Sequence, residues 1–184
     1  MHNITLQKYN NQQHSIKSIS DIYFNSFPIE EQRPWNSIKT LLQTDNRRYN
    51  MTIIIADNKM IGFITWWRFN DFCYVEHFAI DSPMRGNGMG SIALKLFIKE
   101  RPTAVILEVE LPQKGEMALR RIDFYRRNGF TPHYDFNYIQ PSYGEDLPPV
   151  PLMLMTANTP ANFSLNRTCS ILHKEVYGVI HLNS

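Results

Sequence analysis

Cysteine is scarce in this 184-residue chain, glycine is sparse, and net charge is almost absent: two cysteines, eight glycines and a formal charge of +2. Cys73 and Cys169 stand far apart and outside any CxxC or Cys/His cluster, so neither a disulfide scaffold nor a structural zinc site is expected, and a reducing, cytoplasmic setting fits best. Nineteen basic against seventeen acidic residues leave too little imbalance to predict a nucleic-acid partner. No apolar run approaches the ~18 residues of a membrane span, and the polar stretch from Met1 to Ser15 lacks the apolar region of a signal peptide. Neither a membrane nor a bound metal is expected.

What the chain does contain is the composition of a folded domain, 43% hydrophobic and 12% aromatic. Ile4 to Leu6 predicts a first strand, and Ile16, Ile19, Ile22 and Tyr23 predict a helix before Pro28. Pro34, Trp35, Ile38 and Leu41 suggest a second helix. The β-branched run at Ile53–Ile55, the Asp57-Asn58-Lys59 turn and the run Ile61–Phe69 read as a hairpin, followed by a strand over Phe72–Ile80. Alternation places Glu76 with Tyr74 and Phe78 on one face of that strand, and His77 with Val75 and Ala79 on the other. Helical spacing after Gly90, a strand over Ala104–Leu111 and a helix carrying Ala118, Ile122 and Tyr125 form a crossover long enough for parallel pairing. Tyr134, Phe136 and Tyr138 predict a sixth strand, Val150–Thr156 a seventh, and residues from about Asn166 a final helix reaching Ile180. The expected fold is a single α+β domain over residues 1–184: a mixed, mostly antiparallel sheet of six or seven strands with one parallel crossover and helices on both faces.

Function concentrates in Met84-Arg85-Gly86-Asn87-Gly88-Met89-Gly90, between a strand and a helix. Glycines there let a phosphodiester approach backbone N–H groups at a positive helix end. A P-loop is excluded, because Gly90-Ser91 is not preceded by the required lysine pattern. Gly86, Gly88 and Ser91, with Glu108 downstream, partly meet the dinucleotide fingerprint, which stays as an alternative although only one crossover is expected.

Arg85-x-x-Gly88-x-Gly90 resembles the acetyl-CoA pyrophosphate loop of the GNAT N-acetyltransferase superfamily, and Phe124-Tyr125-Arg126-Arg127-Asn128-Gly129-Phe130 resembles that family's second signature. The resemblance implies that backbone amides from Arg85 to Gly90 hold the pyrophosphate of acetyl-CoA, with Asn87, Met89 and Ser91 at the cofactor, while the main chain of Phe78, Ala79 and Ile80 binds the pantetheine arm. It implies Tyr125 as the acid that protonates the departing thiolate. Two glutamates are open as the base: Glu108, matching enzymes that modify ribosomal-protein N-termini, and Glu76, near the base position of histone-modifying members. Glu110, on the face of Glu108, is a weaker candidate. The acceptor is then a small-molecule amine or a peptide N-terminus, attacked directly, since neither cysteine stands by the glycine loop.

Several features carry simpler readings. His77 is expected to be a packed or surface residue, the tryptophans Trp35, Trp66 and Trp67 core or wall, and Arg120, Arg121, Arg126 and Arg127 the solvated face of a helix. The insert from Gln140 to Pro149 carries Glu145 and Asp146, which could attract a cationic amine or buttress a homodimer. A noncatalytic acyl-CoA-binding module is the alternative from a different class.

Overall fold

Local signals seed each element of the computed structural model, which describes residues 3–44, 48–144 and 147–179. Helix α1 (Ile16–Phe24) starts where the Ser15 side chain accepts from the Ser18 amide, and α5 (Leu165–Glu175) starts with the same cap from Ser164 to Arg167. Strand β1 (Ile4–Lys8) precedes α1, and α2 (Trp35–Gln43) follows it. The hairpin of β2 (Tyr49–Ala56) and β3 (Lys59–Arg68) turns at Asp57 and Asn58, both at positive φ (48° and 64°), the backbone of a two-residue primed turn. Then come β4 (Phe72–Ile80), α3 (Met89–Lys99), β5 (Ala104–Glu110), α4 (Glu116–Arg127), β6 (Thr131–Pro132), β7 (Tyr138–Gln140) and β8 (Val150–Ala157).

The fold is α+β, with an eight-stranded mixed sheet in the order β1-β2-β3-β4-β5-β8-β6 and β7 also paired to β8. Only β4 and β5 run parallel among the described strands, so the sheet lacks the doubly wound parallel arrangement that a dinucleotide fold requires. One face packs α3 and α4 through Ala93, Phe97, Ile122 and Tyr125 onto Val75, Leu107 and Val109. The other packs α1, α2 and α5 through Ile19, Tyr23, Ile38 and Leu172 onto Phe63, Tyr74, Ile106 and Leu154. Among the described residues no helix is long and apolar enough to cross a membrane, and none of their His, Cys, Asp and Glu side chains form a group able to hold a metal ion.

Three expectations need correction. Tyr134 to Phe136 form a turn, closed by the Phe136 amide on the His133 carbonyl (3.2 Å), so the predicted sixth strand is two short strands flanking that turn. Unbroken pairing from Pro132↔Met155 would bring Asp135 opposite Leu152, yet Tyr138 stands there, so the turn absorbs the extra chain. Helix α5 ends at Glu175, with Gly178 at φ 73° soon after; Val179 lies past the helix and Ile180 outside the described residues.

The third correction positions the site. On β3, Trp66 pairs with Val75 but Thr65 pairs with His77, which makes Glu76 the extra residue of a β-bulge. Alternation resets there. Val75, Phe78 and Ile80 belong to the α3/α4 layer, whereas Ala79 packs with Tyr74, and His77 hydrogen-bonds Tyr23 of α1 (3.2 Å). Glu76 and His77 thus share a face instead of opposing each other. At the same level the parallel pairing of β4 with β5 runs only from Phe72↔Ala104 to Val75↔Leu107. Beyond it the two strands diverge.

Candidate active site

The divergence opens a cleft of about 670 Å³, lined by Val75–Ile80 of β4 and Leu107–Glu110 of β5. Residues of both helical layers reach its wall, Tyr125 from α4 and Phe27 and Tyr143 from the opposite side, so the cleft passes through the gap in the sheet.

At one end stands the glycine loop. Gly86 (φ 85°) and Gly88 (φ 73°) occupy left-handed backbone, and Gly88 forms the N-cap of α3 with no side-chain cap. The first-turn N–H groups of α3 therefore point out unpartnered by a capping side chain, beside the positive end of the helix dipole. Gly86, Gly88, Met89, Gly90 and Ser91 line the cleft, an arrangement that fits a pyrophosphate. Arg85 lines the cleft as well, with its polar groups already engaged. Its amide bonds the Ser82 carbonyl (3.2 Å), and its guanidinium donates to the Ile80 carbonyl and to Ser26 Oγ (both 2.8 Å), so it shapes the loop. Asn87 is exposed and off the cleft wall. Ser91 Oγ bonds Asn128 Oδ1, whose Nδ2 donates to the Phe124 carbonyl (2.7 Å), tying the start of α3 to the end of α4. Beside the loop, β4 pairs with β3 on one edge and leaves the main-chain groups of Phe78, Ala79 and Ile80 on the other edge facing the gap.

Tyr125 lies on the α4 wall, 8% exposed, with Phe124 and Phe130 edge-on to its ring. Its hydroxyl has no hydrogen-bond partner among the described residues, and burial pushes its pKa up to about 12, which keeps the phenol protonated at neutral pH.

The two candidate bases differ in environment. Glu76 has a wholly buried side chain that accepts from Arg33 Nε (2.8 Å), Trp67 Nε1 (3.2 Å) and the Tyr143 hydroxyl (2.9 Å), with Arg33 Nη2 at 2.7 Å. Burial alone would raise its pKa, but the Arg33 guanidinium outweighs it and holds the carboxyl below its ordinary value. Glu108 accepts from Tyr138 and from Tyr177 (2.9 and 3.1 Å), all neutral donors. Burial pushes it up to about 7, against the lowering effect of these phenols. Glu110 is ion-paired with Arg121. Glu31, also on the wall, is raised to about 7 by burial and then by Glu110. His77 is 2% exposed, bonded at 3.0 Å to Thr65 and at 3.2 Å to Tyr23 and the Glu31 carbonyl, and burial lowers its pKa; it is a neutral packing residue.

The sequence profile of the Acetyltransferase (GNAT) family matches residues 16–130. This chain belongs to the GNAT acetyltransferase family. A Bacteroides thetaiotaomicron protein assigned to the GNAT family is 36% identical, with a TM-score of 0.87, over 96% of this chain and 99% of that one. An Elizabethkingia anophelis GNAT acetyltransferase, solved with acetyl-CoA bound, has the same fold at 16% identity and a TM-score of 0.57, over 84% of this chain and 97% of its own. The Escherichia coli ribosomal-protein-S18-alanine N-acetyltransferase likewise shares the fold, at 18% identity and a TM-score of 0.57, covering 89% of this chain and 100% of its own. Among curated proteins none matches.

Tyr138, Gln140, Tyr143 and Tyr177 lie outside the stretch that the GNAT profile matches, yet all four stand around the carboxylates or on the cleft wall, the first two buried and Tyr143 and Tyr177 half-buried. Sequence reasoning missed them, together with Arg33, since their partners lie as far as 143 positions away and no local pattern marks them; Asn128 stands in the second signature, but its bond to Ser91 is not legible there. The arginines divide: Arg120 and Arg126 pair with Glu116 and Asp123 on their own helix, as a solvated face predicts, while Arg121 reaches Glu110 and Arg127 lines the cleft. Trp35 packs on Tyr23 and Trp66 on Phe97, whereas Trp67 donates to Glu76. Glu145 and Asp146 lie outside the described residues. Cys73 is 2% exposed, with its thiol pushed up to about 12 by burial.

Proposed function

We propose that this GNAT enzyme transfers the acetyl group of acetyl-CoA to a primary amine by direct attack, with Glu108 as base and Tyr125 as acid. The observation that carries the reading is that both side chains line one cleft through the split in the sheet, with the glycine loop at its end. The amides of Gly86–Ser91 hold the pyrophosphate, with Arg127 adding charge, and the open edge of Phe78–Ile80 aligns the pantetheine arm.

An alkylammonium of pKa ~10 must lose a proton before its nitrogen can attack. A carboxylate titrating near neutrality can take that proton, and Glu108 is so placed; Glu76 is held as an anion by Arg33 and serves as a fixed part of the wall. The amine lone pair then forms a C–N bond at the thioester carbon, the carbonyl electrons moving onto oxygen. Collapse of this intermediate restores the carbonyl and breaks the C–S bond; the thiolate takes the Tyr125 proton, and the nitrogen, cationic since the attack, gives its extra proton to solvent, from which the Tyr125 phenolate is reprotonated. The buried Cys73 thiol, at about 12, is unsuited to an acyl-enzyme route.

The test is to supply acetyl-CoA with a panel of primary amines and follow free CoA thiol and N-acetylated product. One acetylated amine per CoA released supports the proposal. Tight acetyl-CoA binding without release across the panel would overturn it in favour of a binding module.

A further inference from the structure

Gln140 ends β7 on the same face as Tyr138 and is 3% exposed. Its Nε2 is fully buried and has no hydrogen-bond partner among the described residues, although the residue lines the cleft with Glu108, Tyr143 and Leu152. A buried amide left unpaired is destabilising, and a leucine would satisfy a position beside Leu152 with no such cost. The neighbouring carboxylates already have partners: Glu108 takes Tyr138 and Tyr177, Glu76 takes Arg33 and Tyr143, and Glu110 takes Arg121. Among the described residues no group pairs with the Gln140 amide nitrogen, which leaves it open to a group that enters the cleft.

Resting on the acetyltransferase reading, we infer that Gln140 reads the acceptor, and that the acceptor is an α-amino amide: a peptide N-terminus or an aminoacyl amide whose amine meets Glu108 and whose amide pairs with Gln140. The spacing suits this class. The Tyr138 phenol touches Glu108, and Gln140 follows two residues on along the same strand face, roughly 7 Å further, about the reach of two extended peptide units. A primary amide carries a donor and an acceptor side by side, and its natural complement is another amide. A polyamine offers no carbonyl. A free amino acid would bring its carboxylate to a wall bearing Glu31, Glu108 and Glu110; of the arginines on that wall Arg121 is paired with Glu110, Arg120 with Glu116 and Arg85 with Ile80 and Ser26, and on the present reading Arg127 meets the pyrophosphate.

The experiment compares wild type with Gln140→Leu on alanyl-alanine amide, alanine amide, free alanine and spermidine. The expected result is a wild-type preference for the amides over spermidine and alanine of at least ~10-fold in kcat/KM, and a loss of ~10²-fold in the amide-to-spermidine ratio in the variant. A ratio unchanged by the substitution overturns the inference, as does a wild type that prefers spermidine or alanine; a gain confined to the dipeptide amide identifies the peptide N-terminus as the source. Two further readouts stand apart from turnover. Titration of alanyl-alanine amide into the CoA complex should detect binding to wild type and at least ~10-fold weaker binding to the variant, and Gln140→Leu should melt no lower than wild type. Equal binding, no binding to either protein, or a melting temperature lowered by several degrees would each overturn the role of Gln140. An enzyme that binds the amide yet releases no CoA contradicts the acetyltransferase reading and leaves the amide-reading role standing.

Discussion

Tyr177 and Glu108, 69 positions apart, are joined by hydrogen bonds of 2.9 and 3.1 Å to the two oxygens of one carboxylate. The segment after α5 thereby holds the proposed base from its own side of the sheet, and the Tyr177 hydroxyl also bonds Tyr74 at 2.8 Å. Neutral phenols orient the carboxylate without fixing its charge, in contrast to the Arg33 guanidinium on Glu76.

If Tyr125 only delivers a proton to the leaving thiolate, Tyr125→Phe keeps the ring packing on Phe130 and removes the donor. The expected outcome is a fall in kcat of ~10²–10⁴ with acetyl-CoA affinity nearly unchanged. Steady-state kinetics beside calorimetry check it.

The pairing of Arg33 with Glu76 predicts a large structural penalty when one partner goes. Arg33→Ala leaves a buried, uncompensated carboxylate and should lose about 3–5 kcal/mol, and the double variant Arg33→Met with Glu76→Gln should recover much of it. Denaturant unfolding of the three proteins measures both.

Gly88 allows charge to be separated from backbone strain. Both asparagine and aspartate tolerate its positive φ of 73°, but only aspartate sets a negative charge at the α3 N-cap, where phosphate is expected. Gly88→Asp should bind acetyl-CoA at least ~10-fold more weakly than Gly88→Asn while the two melt alike. Equal affinities would remove the glycine loop from the pyrophosphate site.

Stability should also respond to the raised carboxyls. Glu31 and Glu108 bind protons more tightly folded, at about 7, than at the ordinary 4.5, so their contribution is fully present below 4.5 and is lost as pH rises through 7. Glu108→Gln should flatten part of that decline between pH 4.5 and 7, read as melting temperature against pH.

The sequence made the scaffold legible because its signals are local. Periodicity at Ile16–Tyr23, the Asp57-Asn58 turn and the glycines before α3 each decide a structure from a few neighbours, and the order of elements followed. The Tyr134–Tyr138 alternation misled, since a closing bond at His133 and pairing with β8 override it. The bulge at Glu76 was invisible for a related reason: it exists only in the register against β3, and it moves His77 to the face of Glu76. Candidates Glu108, Tyr125 and the loop glycines converge on one cleft, but Arg33, Tyr138 and Gln140 of β7, Tyr143 and Tyr177 arrive from distant parts of the chain, and no spacing foretells which side chains the fold will gather. The same is true of Arg85, whose guanidinium turns back to Ile80 and Ser26.

The most direct test of the base assignment is the pH dependence of kcat/KM for amine acetylation, measured for wild type and Glu108→Gln. Because the carboxylate form accepts the proton, wild-type kcat/KM should rise with pH through a midpoint of about 7, and the variant should be slower and lack that inflection. An inflection near 7 that survives in Glu108→Gln, with the rate intact, would contradict the account.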